Sequence, residues 1–353
     1  MQNCKFFVVV LFLFSFFVFS DDNVQQICLQ PDNKIIITNP KLFDAKFYFF
    51  FNPYKHFFVY GKRKVFYIVS KKGNLLKEYT VKNPQEPGGF QSTLGMFFYS
   101  DCILVSDYCK VVKFNYNLKF QKNVASGICV GIGLKWISKD GKNIFYYSNQ
   151  EGFVRIKNGK KIAVNTKLKL KTPWEDTSMM IFFREYQCAF DETNNMFFAI
   201  HRGRYKIFKL SADNLKILQT RTVKRKNFKM ADDKKQGVYR MMGVKEYNTL
   251  LYGVCEVQNV CADDRFLYVR WGERVGHQSY VDVFDKNSLK LLVEFKLEKT
   301  FKETNRYAAF DPINGILYED DLIEDEMNDE NTRRIIKVYD IKKAVLRFLG
   351  KNE

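Results

Sequence analysis

One turn recurs along this chain. The segments "FNPYKHFFVY" (51–60), "FDETNNMFFAI" (190–200) and "FDPINGILYED" (310–320) each place Phe ahead of Asn or Asp, then a short polar turn. An apolar run begins five residues after the Asn or Asp in all three. "ISKDGKNIFYY" (137–147) and "ADDRFLYVRW" (262–271) are looser copies. Asn and Asp suit such turns because their side chains bond to nearby backbone. The order of elements after each turn also recurs: a short strand, a polar loop, a second strand, a Gly/Asn/Asp turn and a last apolar run. "KVFYIVS" (64–70), "KVVKFNY" (110–116), "GFVRIKN" (152–158), "YKIFKLS" (205–211), "YVDVFDK" (280–286) and "IIKVYDI" (336–341) occupy the same place in six units. Their last runs include "LLKEYTV", "LKILQT" and, in the sixth unit, "AVLRFL".

Six four-stranded antiparallel units predict an all-β fold, a six-bladed β-propeller. The runs after the turns open at Phe57, Ile103, Ile144, Phe197, Leu267 and Ile316, at intervals of 46, 41, 53, 70 and 49 residues. The longer intervals hold insertions, which puts the blades at about 44–81, 92–124, 127–166, 186–222, 258–297 and 306–349. A β-sandwich or two small β-domains would also use many short strands. The regular turn order and the lack of any linker-like shift in composition argue for one domain over residues 21–353. "NKIIITNPKL" (33–42) is an extra strand, expected to pair with the last blade and close the ring. A chain of 353 residues with 46% hydrophobic and 16% aromatic content can fill such a core.

The first 20 residues read as a signal peptide: Lys5, an apolar stretch over 6–19, and Val18 and Ser20 at the −3 and −1 positions before Asp21. The stretch is short for a membrane span, which needs about 20 apolar residues. Export, to a periplasm or beyond the cell, is the expected destination. Seven cysteines remain after cleavage, an odd number without any C-x-x-C. Cys102 and Cys109 bracket a strand and stand roughly 23 Å apart at about 3.3 Å per residue, too far to bond. Buried single thiols are expected.

The units "ILVSDYCKVVKFN" (103–115) and "YVDVFDKNSLKLL" (280–292) resemble secreted six-bladed propellers of the NHL-repeat-like and TolB-like type. The WD dipeptide of WD-repeat propellers is absent. The resemblance covers nearly all of 44–349 and implies a disc with a central channel and binding on one face. It transfers no catalytic residue.

G-x-S-x-G, H-E-x-x-H, P-loop and G-x-G-x-x-G motifs are all absent, so no catalytic residue, metal site or cofactor is assigned. "GICVGIG" (127–133) falls at an inner-strand position and suits close packing beside the channel. His56 falls in a blade turn, His201 and His277 in loops. "EDDLIEDEMNDEN" (319–331) carries eight carboxylates and reads as a solvated loop, without the D-x-D-x-D-G spacing of a calcium loop. The inner strands offer few acidic groups away from their turns. A divalent-ion lactonase or esterase resembling gluconolactonases is therefore the alternative to a binding module.

In a meander the loops from strand two to three and from strand four to the next blade share one face. Every long insertion falls there, at 167–185, 223–257, 270–279 and in the acidic run. That face is expected to bind a ligand through Lys62, Arg63, Lys64, Arg202, Arg204, Arg270, Arg274 and His277, with Trp174 and Trp271 as stacking surfaces. The net charge of +18 points to an anionic partner: an acidic polysaccharide, a membrane surface or an acidic protein. Nucleic acid is not expected as the natural partner of an exported chain. N-terminal sequencing of the exported protein should begin at Asp21; a start at Met1 would rule out the cleavage.

Overall fold

The repeated turns close through their Asn and Asp side chains. A computed structural model describes residues 24–43, 48–62, 65–90, 93–107, 110–126, 133–148, 151–169, 186–230, 254–273, 278–300, 307–323 and 333–350. Asn52 Oδ1 accepts from the N–H groups of Tyr54 (2.9 Å) and Lys55 (3.1 Å), and Asp311 Oδ1 from Ile313 (3.0 Å) and Asn314 (3.2 Å). Asp263 does the same for Arg265 (2.8 Å) and Phe266 (2.7 Å). Four residues after the Asx in three copies, the backbone enters the left-handed region, at His56 (φ 53°), Asn195 (51°) and Gly315 (66°). At Gly315 a side chain would also strike Lys342 Cβ at 2.7 Å. Each turn thus returns the chain antiparallel within five residues.

Strands β1 (Gln26–Leu29) and β2 (Asn33–Ile37) precede the ring. Blade one is β3 (Tyr48–Asn52), β4 (Phe57–Lys62), β5 (Val65–Ser70) and β6 (Leu75–Thr80). Blade two is β7 (Gly95–Phe98), β8 (Cys102–Ser106), β9 (Lys110–Asn115) and β10 (Phe120–Ser126). Blade three is β11 (Leu134–Ile137), β12 (Asn143–Ser148), β13 (Gly152–Lys157) and β14 (Lys160–Asn165). Blade four is β15 (Tyr186–Asp191), β16 (Met196–His201), β17 (Lys206–Ser211) and β18 (Ile217–Thr222). Blade five is β19 (Cys255–Ala262), β20 (Phe266–Glu273), β21 (Ser279–Asp285) and β22 (Leu291–Leu297). Blade six has β23 (Ala308–Asp311), β24 (Ile316–Ile323) and β25 (Arg333–Asp340). The six-bladed propeller is therefore present, each blade an antiparallel meander with its first strand innermost.

The sixth blade departs from the expectation in one respect. "AVLRFL" is not its fourth strand but part of a helix, α1 (Ile341–Gly350). Asp340 caps that helix by accepting from Lys343 N–H at 2.9 Å. Ile341 and Val345, four residues apart, lie one above the other on the helical face that is buried. The fourth strand comes instead from β2, which pairs antiparallel with β25 and closes the ring as expected. A further strand was not anticipated: β1 adds to the outer edge of blade five, parallel to β22.

The interior is divided into six apolar clusters, one at each contact between neighbouring blades. Burying each large apolar side chain contributes about 1.5–3 kcal/mol. Among the thiols, Cys102, Cys255 and Cys261 are buried as expected, Cys188 is half-buried, and Cys28 is exposed on β1. Among the described residues no helix is long and apolar enough to cross a membrane; the proposed signal peptide lies outside them.

The acidic run corrects a second expectation. Its first three members, Glu319, Asp320 and Asp321, lie in β24 and are buried against cations, because the strand faces basic side chains of β20 and β25. Residues 324–331 lie outside the described residues. Asp320 joins blades six and one: Tyr60 Oη donates to it at 2.9 Å, and Arg334 stands 3.4 Å from it and over the Tyr60 ring. Burial raises the Asp320 carboxyl from 3.8 to about 6, against the opposing pull of Arg334. A folded-state value above the unfolded one stabilises the fold at acidic pH, and that contribution is lost as the pH rises from about 4 through 6. Each tenfold change in an acid constant corresponds to about 1.36 kcal/mol. Urea unfolding should therefore show wild type losing about 2 kcal/mol more than Asp320→Asn between about pH 4 and pH 7. Parallel pH profiles for the two proteins would contradict this.

Candidate functional site

The innermost strands of all six blades surround a solvent-open channel with a cavity of about 550 Å³. Its wall is largely aromatic: Phe50 from blade one, Phe97 and Phe98 from blade two, Trp136 from blade three and Phe190 from blade four. Blades five and six contribute mostly smaller groups, including Val260, Ala262, Ala308 and Ala309, with Phe310 as the large ring on that side. The asymmetry follows from the sequence of the inner strands, "YFFFN" and "GMFF" on one side against "CEVQNVCA" and "AAFD" on the other. Trp136 and Phe190 pack with ring centroids 4.3 Å apart, and Phe145 backs both, at 5.8 and 5.4 Å. The aromatic wall is thus supported from behind.

Polar groups are few and placed at different depths. Lys135 projects from β11, and Asn259 from β19 donates its side-chain N–H to Ala308 O at 2.8 Å. Pro53, Tyr54, Tyr99, Glu192 and Pro312 come from the turns between first and second strands and form the mouth. Burial and the neighbouring Glu192 carboxylate raise the Tyr54 phenol above its ordinary value; the same two causes raise Tyr99 further. Among the described residues neither Lys135 nor Glu192 has an ion-pair partner. No group of three or more metal-ligating side chains occurs among the described residues.

This mouth lies on the face of the short turns, opposite the long insertions. None of Arg202, Arg204, Arg270, Trp271 and His201 is among its lining. Arg270 and Trp271 are fully buried in β20, which removes both from any ligand-facing surface. Arg270 Nε and Nη2 contact Glu319 Oε1 at 3.0 and 2.6 Å, and Nη2 donates to Ser279 Oγ at 3.0 Å. Trp271 stacks on Tyr280 at 4.2 Å inside the seam between blades four and five. The sequence placed both beside a loop, but β20 runs on to Glu273 and carries them into the core. Arg202 pairs with the buried Glu256 at 3.0 Å, while Arg204 is exposed beside it. His201 ends β16 and is buried rather than looped out, its Nδ1 accepting from Arg204 N–H. Lys62 ends β4; its side chain, with Arg63, Lys64, Trp174, Arg274 and His277, lies outside the described residues.

Sequence reasoning missed Tyr54, Lys135, Trp136 and Glu192. The signal was present: the Asp140–Gly141 turn marks "LKWI" before it as the inner strand of blade three. Assigning that position to "GICVGIG" concealed Trp136; residues 127–132 lie outside the described residues.

No protein-family model matches this sequence, and no curated protein does. Among solved structures, a DUF4221-family protein of Bacteroides vulgatus superposes with a TM-score of 0.56 at 11% identity, covering 88% of this chain and 97% of that one. A Bacteroides fragilis protein, named for its assumed export, gives 0.50 at 13% identity, over 89% and 99%. The WD40 domain of Neurospora crassa Pan2 gives 0.45 at 10% identity, over 87% and 83%. The first two likenesses reach nearly the whole length of their chains and concern the fold alone.

Because Arg270 and Glu319 are both fully buried, removing one strands the other's charge. Arg270→Ala should lower unfolding stability by about 3–5 kcal/mol in urea. A loss below about 1 kcal/mol, the range of an exposed pair, would mean that the pair is not buried in solution.

Proposed function

We propose that this protein is an exported binding module that takes a ligand into the central channel through its short-turn mouth. The observation that carries the reading is the concave aromatic wall, supported from behind and open to solvent. Binding sites are commonly concave, apolar and fitted with a few polar groups, at volumes of about 300–1,000 Å³. Among the described residues the lining supplies one carboxylate, Glu192, whereas the divalent-ion hydrolase alternative calls for several converging ones. Cys261 is a poor nucleophile, since burial pushes its thiol well above the ordinary range. Export is supported by the N-terminal sequence and by the similarity to a protein named for export.

The net charge of +18 favours an anionic ligand, in the channel or on the long-loop face. On that face the described residues keep Arg204 exposed, whereas Arg270 is committed to Glu319.

Cys188 lies half-buried in the channel wall and Cys28 lies exposed on the outer rim, so the two report on different places. A library of sugars, amino acids and organic acids should contain compounds that slow alkylation of Cys188 but leave Cys28 unchanged, read peptide by peptide by mass spectrometry. If no compound protects Cys188, or if protective compounds are hydrolysed, the binding-module reading fails.

A further inference from the structure

The chemistry of the channel restricts what it can hold. Among the described residues Lys135 is the one ammonium of the lining, half-buried, set among aromatic rings and without a hydrogen-bond or ion-pair partner. A cation withdrawn from water beside apolar groups is stabilised most by an anion that comes to it. The indole N–H of the adjacent Trp136 likewise has no acceptor among the described residues. Glu192, the one carboxylate of the described lining, stands elsewhere. Ile137 and Phe190 open their turns at matching places, facing Ile144 and Phe197. The ladders set Leu134 level with Cys188 and Trp136 level with Ala189, with Lys135 bulged between them, whereas Glu192 lies in the turn beyond the end of β15, nearer the mouth. The two side chains therefore enter the channel at different depths, Lys135 from within the strand layer and Glu192 from the turn. Positive charge thus lies inside, and negative charge lies at the rim beside the Tyr54 phenol.

Resting on the channel reading above, we infer that the site takes a small ring-bearing carboxylate: the carboxylate meets Lys135, the ring lies on the aromatic wall, and donors at the far end meet Glu192. Aromatic rings present a negative face to the positive C–H edges of a sugar or aryl ring. The cavity of about 550 Å³ admits one or two such rings. Two sources share this chemistry: an acidic sugar, with hydroxyl donors, and an aromatic amino acid, with an ammonium donor.

Calorimetric titration of the intact protein with matched probes tests the inference. Digalacturonate is compared with neutral galactobiose, and phenylalanine with phenylalanine amide and N-acetylphenylalanine. In wild type the carboxylate should improve affinity at least tenfold within one of the two series, which identifies the source. Lys135→Met should abolish that advantage while leaving the melting temperature unchanged, since Lys135 has no partner to lose among the described residues. Glu192→Gln should remove the penalty of N-acetylation if the amino-acid series is the one that binds, and should leave the carboxylate preference intact in either series. The inference falls if neither carboxylate binds, if neutral probes bind as tightly, or if Lys135→Met retains the preference. Protection of Cys188 by a neutral compound would then still support the channel as a binding site, so the two failures are distinguishable.

Discussion

The propeller depends on one strand pairing. Blade six carries three strands from the C-terminal end of the chain, and β2, at residues 33–37, supplies the fourth through its ladder with β25 at 333–340. Without that ladder β25 would end the blade as an open edge, and the cluster that contains Ile35 and Ile37 would be exposed. β1 reinforces the closure by joining blade five, so the segment leading into the ring spans two neighbouring blades. Every other blade draws its four meander strands from one stretch of sequence, which makes this the long-range contact that converts a row of meanders into a disc.

The seams between blades divide into two kinds. Blades one, two and three meet mainly through aromatic and aliphatic clusters. Blades four, five and six meet through apolar clusters of the same kind and add buried ion pairs: Arg225 with Asp282, Lys286 with Asp191, Arg270 with Glu319. Tyr205 donates to Asp282 at 2.6 Å, paralleling the Tyr60–Asp320 contact across the closing seam. Such pairs add little net stability over an apolar seam but are costly to break, so they hold these blades to one angular register. This arrangement also accounts for much of the acidic run, whose leading carboxylates are structural counter-ions.

The channel is lined unevenly. Blades one to four bring most of the large rings inward, and blades five and six bring Phe310 among smaller groups such as Ala and Val. Lys135 lies within the strand layer and Glu192 at the mouth. The long insertions leave from strand ends on the opposite face to the cavity mouth.

The architecture was legible in the sequence because the Asx turn is a local event: Asn52, Asp191, Asp263 and Asp311 each bond to backbone within three residues, and the next strand begins three to five residues on. Even ring closure by residues 33–37 was readable, since an apolar strand outside the six units needs an edge to pair with. The fate of individual charges was not. Whether Arg270 faces solvent or Glu319 depends on how far β20 extends and on what blade six presents across the seam, neither of which lies near Arg270 in sequence. The helix at 341–350 displaced an expected strand because β2 had already taken the outer edge of blade six. The channel wall was decided in the same way: Phe50, Trp136 and Phe190 are ordinary strand residues until six blades close around them and leave their rings on a common surface. Local bonding determined the blades, and only closure of the ring decided which side chains meet.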